Sequence, residues 1–114
     1  MAELALTPEE LLAGAAVTHN VTVPPEVMQP GKDSTAREFV VTLKPLTIGT
    51  FQLIMKASRQ DASLIPLLMI KEALVQPALT LEQVKGLHLG LVNFLIGRIR
   101  EISGLVEKKS PLPG

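Results

Sequence analysis

The stretch LHLGLVNFLIGRI, Leu87 to Ile99, constrains the fold more than any other part of the chain. At helical spacing Leu87, Leu91 and Leu95 form one row and Leu89, Val92 and Ile96 another, so a helix here has little polar surface. LIPLLMIKEAL, Leu64 to Leu74, poses the same problem, because only Lys71 and Glu72 are charged. A helix that is apolar on all sides must be covered on all sides. That cover comes either from the rest of the fold or from another chain, and the sequence leaves both open. Gly86, Gly90 and Gly97 add weight to the question, since a glycine inside a helix costs about 1 kcal/mol relative to alanine. Gly86 and Gly90, four positions apart on one helix, would let a second helix approach closely.

The other segments read more simply. In LTPEELLAGAA, Thr7 caps, Pro8 suits the first helical position and Glu10 completes a capping box. VTHNVTVPP is a strand ended by Pro24 and Pro25, and MQPGKDSTA, Met28 to Ala36, is loop. REFVVTLKP, Arg37 to Pro45, is a second strand with Phe39, Val41 and Leu43 on one face and Glu38, Val40, Thr42 and Lys44 on the other. The two strands pair antiparallel across the loop and need cover on one face. Thr47 caps a helix carrying Phe51, Ile54 and Met55, and Ser63 caps the run through Val75, with Pro66 in its first turn. Thr80 and Gln83 form a second capping box, opening a helix that runs unbroken from Leu81 to about Ser103, with Gly104 as its stop.

These elements predict an α+β protein, mostly helical: a small antiparallel β-hairpin followed by a three-helix unit, with a short N-terminal helix. Residues 1–17 form a helical arm, 18–104 a single domain and 105–114 a disordered tail.

Aromatic residues make up 3% of the 114 residues, so the core must be aliphatic. Eleven basic and eleven acidic side chains balance to a formal net charge of zero. The basic residues are scattered and there is no Tyr or Trp to stack on bases, which argues against nucleic acid as a partner. Zero net charge also removes a brake on self-association. With no cysteine, disulfides and thiolate chemistry are excluded. Glu3, Glu9 and Glu10 stand where a secretory signal would be basic and then apolar, and His88, Asn93, Arg98 and Arg100 interrupt the longest apolar run. The expectation is a cytoplasmic protein without a membrane partner.

Catalytic chemistry finds no foothold. His19 and His88 have no ligand partner at helical spacing and read as partly buried, hydrogen-bonded residues, while Asp33 and Asp61 fall in turns. Gly31-Lys32 resembles part of a phosphate loop, but Asp33 follows and the upstream glycine is missing. No enzyme activity, cofactor or metal is expected. The candidate sites are apolar partner-binding residues: Leu87, Leu91, Val92, Leu95 and Ile96, then Leu64, Leu68 and Met69. Met28, Met55 and Met69 fit a binding surface as well as a core.

REFVVTLKPLTIGTFQLIMKAS, continuing through LIPLLMIKEALVQPALTLEQV to IREISGL, resembles the small tail assembly chaperones of tailed bacteriophages and phage-like contractile particles. The resemblance covers roughly Arg37 to Leu105 and rests on texture and order of elements. It implies a protein of the producing bacterial cell that self-associates and keeps a helical tape-measure protein soluble while a tail tube forms around it. A structural subunit of such a tail or injection particle, and a small regulatory binding protein, are the alternatives.

Overall fold

Thr7 opens the first helix as its spacing to Glu10 requires. The computed structural model describes residues 5–29 and 39–105, and helix α1 spans Pro8–Ala13. The Glu10 amide donates to the Thr7 hydroxyl at 3.2 Å, and the Thr7 amide donates to the Glu10 carboxylate at 2.8 Å. Gly14–Ala16 continue as one 3-10 turn, and none of these residues is buried.

Strands β1, His19–Val23, and β2, Phe39–Leu43, pair antiparallel, with His19 opposite Leu43 and Val23 opposite Phe39. Alternation decides their faces. Val21, Val23 and Leu43 are buried, while Asn20, Thr22 and Val40 face out. On the outer face the Thr42 hydroxyl donates to the Asn20 side-chain oxygen at 3.0 Å. Pro24 and Pro25 end β1 as expected and then start a single helical turn, α2, Pro25–Met28, which takes in only the first residue of the expected loop. Proline at the first helical position makes that turn inexpensive. Most of the expected loop lies outside the described residues, as does the expected tail 105–114 except Leu105, which is bonded to the end of α6.

The helical half departs from its expected boundaries twice. Helix α3 spans Ile48–Ala57, its Thr50 amide donating to the capping Thr47 hydroxyl at 3.1 Å. Helix α4 spans only Leu64–Ala73, and Leu74–Gln76 form a third strand, β3, on the other side of β2. The apolar run reads as helix through Val75, yet the Lys44 amide donates to the Ala73 carbonyl at 2.9 Å and β2 draws Leu74 into the ladder. Tertiary pairing overrides local pattern here.

The second correction breaks the long final helix in two, α5 at Leu81–Lys85 and α6 at Leu89–Ile102. The Thr80–Gln83 capping box forms as expected. Gly86 then ends α5, His88 turns extended (φ −74°, ψ 158°), and the Leu91 amide donates to His88 Nδ1 at 3.2 Å. His88 is therefore an exposed helix cap rather than a partly buried mid-helix residue. Gly86 is the C-cap of α5 and Gly90 lies in the first turn of α6, so the two do not share a close-approach face on one helix.

Helices α4 and α6 pack together at the centre, with α3 and α5 against α4 and α2 against α6. Their buried side chains, including Ile54, Met69, Ile70, Ala73, Val84, Leu91, Val92, Leu95 and Ile99, join Val21, Val23 and Leu43 in one aliphatic core. Ser58 is the buried polar residue among those described, and its hydroxyl donates to the Ile54 carbonyl at 2.7 Å.

Two glycines in or near α6 have opposite expectations. A Cβ on Gly97 would meet nothing within 4 Å, so Gly97→Ala should stabilise the fold by about 1 kcal/mol through helix propensity. Gly104 has φ +74°, so Gly104→Ala should destabilise by about 1–2 kcal/mol. Denaturant unfolding of the two variants checks both signs.

Ser63, expected to cap α4 with its side chain, makes no such bond. Instead its hydroxyl and amide donate to the Asp61 carboxylate at 2.5 and 3.1 Å. The hydroxyl bond first, then the amide bond, hold the Asp61 carboxyl below its ordinary value. Its folded pKa is thus below its unfolded one. The stabilisation is complete above the ordinary carboxylate value of about 3.9 and fades as pH falls through the folded value. Ser63→Ala should move the Asp61 titration up toward the ordinary value in a carboxyl-carbon NMR experiment.

Candidate functional site

The end of α6 builds one wall of an apolar groove. The Gly104 amide donates to the Glu101 carbonyl at 3.2 Å and the Leu105 amide to the Arg100 carbonyl at 2.8 Å, the paired bonds of a Schellman stop. This turn needs the left-handed backbone that Gly104 supplies, and it sends Leu105 back beside its own helix. The Leu46 amide donates to the Ser103 hydroxyl at 2.9 Å, fixing the approach to α3 against the same helix end.

The groove itself has a volume of about 390 Å³, and Phe51 of α3, Ile65, Pro66 and Met69 of α4, and Ile96, Arg100 and Leu105 line it. It continues in both directions. Past Phe51 and Leu105 lies a recess of about 150 Å³ reaching Ile48, and past Pro66 and Ile96 lies one of about 400 Å³ reaching Leu87 and Leu89. The two ends carry highly exposed large apolar residues, Ile48 at 78% and Leu89 at 79%. The band therefore runs across α3, α4 and α6 from one exposed aliphatic anchor to another. Its lining includes Arg100 and Lys85 and no carboxylate. Arg100 makes no ion pair among the described residues, whereas Lys85 stands 3.6 Å from Glu82. A surface of this kind suits an amphipathic helix, whose apolar anchors at helical spacing fill such a groove.

The expected partner-binding set divides. Leu91, Val92, Leu95 and Met69 are 8%, 9%, 2% and 6% exposed, and all four belong to the core. Leu91 and Leu95 are covered within the core rather than on a docking face, whereas Val92, also a core residue, lines the groove's extension toward Leu89. Met69 still reaches the floor of the groove. Leu87, Ile96, Leu64 and Leu68 are half-buried. Ile96 lines the groove and Leu87 its extension, while Leu68 borders a separate small recess beside Leu53 and Glu72.

Sequence reasoning missed Phe51, Ile65, Pro66 and Leu105 as site residues. Leu105 had a readable signal, because an apolar residue directly after a stop glycine folds back on its helix. Phe51 and Ile65 had none, since their pairing depends on how α3 crosses α4. His19 is half-buried in β1, far in sequence from the groove residues. Among the described residues no cluster of His, Asp and Glu could hold a metal ion, and no buried side-chain polar atom lacks a hydrogen-bond partner. No helix among them is long and apolar enough to cross a membrane.

Compared with known proteins, the chain matches no family model, no curated protein and no solved structure.

Proposed function

We propose that the chain is a non-enzymatic binding protein that holds an amphipathic helical segment of another protein along the α3–α4–α6 groove. The setting is that of the tail assembly chaperones it resembles in sequence, with a tape-measure-like helical chain as the client. The observation that supports this reading is the continuous apolar band from Ile48 through Phe51, Ile65 and Ile96 to Leu89. Burying such a band stabilises a complex by about 25 cal/mol per Å² of apolar area, less the cost of association. A long helical client gains from many weak grooves along its length without requiring particular side chains.

Co-expression tests this directly. A long amphipathic helical client from a contractile-tail system should stay in the soluble fraction with this chain and precipitate without it. The chain should then be absent from purified particles. A client that partitions identically with and without it contradicts the proposal, and recovery of the chain in particles at stoichiometric amount makes it a structural subunit instead.

A further inference from the structure

The N-terminal arm carries apolar surface that its own body leaves uncovered. Leu6, Leu11, Leu12 and Val17 are all exposed, and α1 has no buried residue. A six-residue helix has marginal stability alone, so even a capping box leaves it in need of a surface to pack on. Residues 5–17 carry Glu9 and Glu10 and no basic side chain. The groove is the opposite: apolar, with Arg100 and Lys85 along it and no carboxylate. Shape class and charge are complementary.

We infer that α1 of one copy docks in the α3–α4–α6 groove of a second copy, making a reciprocal dimer in which each arm occupies the other's client site. The inference rests on reading the groove as a helix-docking surface. Leu11 and Leu12 enter beside Phe51 and Ile96, and Glu9 or Glu10 meets Arg100. The root of the arm favours exchange. His19 pairs with Leu43, three residues from Leu46 at the end of the groove, so an arm leaving β1 starts close to the site. Only Val17 and Thr18 separate its 3-10 turn from β1, and short hinges of this kind promote exchange between copies. A neutral chain offers no net repulsion to the pairing. The docked arm competes with a client helix, so the dimer is the stored form and a client opens it.

The absence of native cysteine makes cross-linking specific. Full-length Leu12→Cys and Leu105→Cys chains, mixed in equal amounts and mildly oxidised, should give a disulfide dimer containing one of each variant. Sedimentation should show a dimer for the unmodified chain and a monomer for Leu11→Asp/Leu12→Asp, with circular dichroism unchanged. The Asp variant should also bind an acidic amphipathic helical peptide about tenfold more tightly, because no arm competes for the groove. A monomeric unmodified chain overturns the inference, as does a mixture without the mixed disulfide. So does a doubly substituted Leu12→Cys/Leu105→Cys chain that closes within a monomer. In each of those cases peptide binding at the groove still reports on the proposed function, so the two readings fail separately.

Discussion

Ile99→Asp is expected to leave the chain without a cooperative unfolding transition. Ile99 has 0% of its surface exposed and sits on α6 in the same cluster as Leu95, Val92 and Leu91. Removing the aliphatic side chain alone costs about 2–5 kcal/mol. A carboxylate placed there has no partner, since the core residues around it are aliphatic, and its desolvation adds several kcal/mol. Domains of this size hold about 5–15 kcal/mol in total, so the sum matches or exceeds the reserve. Far-ultraviolet circular dichroism on heating should show low helicity with no sigmoidal transition. The same reasoning applies to Leu91→Asp with Leu95→Asp, which removes the fold rather than a docking surface. If either variant melts within a few degrees of the unmodified chain, the placement of α6 is wrong.

Leu105→Asp is expected to do the reverse, sparing the fold and removing the binding. Leu105 is 42% exposed, at the end of the last described helix, and it forms the rim shared by the groove and its extension toward Ile48. Its backbone bonds to α6 do not depend on the side chain, so stability should fall by less than about 1 kcal/mol. An aspartate there opposes an acidic helix and pairs with Arg100, cancelling the positive charge of the groove. Replacing an apolar side chain that lines both cavities by a charge costs about 2 kcal/mol of binding, roughly a 30-fold rise in Kd for a helical peptide measured by calorimetry. Val40→Asp, on the outer face of the sheet, should change the same Kd by less than twofold. Equal losses in the two variants would mean that the groove is not the site.

Local grammar was legible in this sequence and long-range cover was not. Thr7 with Glu10, Thr47, Thr80 with Gln83, and Gly104 mark helix ends through contacts within a few residues, and each acts where its spacing places it. The alternation of Val21, Val23 and Leu43 likewise carries the two-stranded pairing. Leu74 and Val75 misled because an extended ending to α4 is imposed by β2, whose register is not written in the LIPLLMIKEAL run. His88 misled because histidine is an uncommon cap, so the break after Gly86 looked like a glycine tolerated within one helix.

The candidate site suffered from the same difference. Apolar rows on α6 identify what must be covered, and Leu91, Val92 and Leu95 belong to the core, on a helix that packs on α4 and α2 within the chain. The surface left over falls where elements distant in sequence meet, at Phe51, Ile65 and Leu105. Periodicity along one helix cannot rank those positions, because their exposure depends on crossing angles between helices.

Methyl-resolved NMR of the Leu11→Asp/Leu12→Asp chain, titrated with an acidic amphipathic helical peptide, shows whether a helix occupies the α3–α4–α6 groove. The methyl signals of Ile65, Met69, Ile96 and Leu105 should move together with one Kd, while those of Val21, Val23 and Leu43 under the sheet stay fixed. Groove methyls that do not move would mean that no helix docks there, whether the peptide binds elsewhere or does not bind at all.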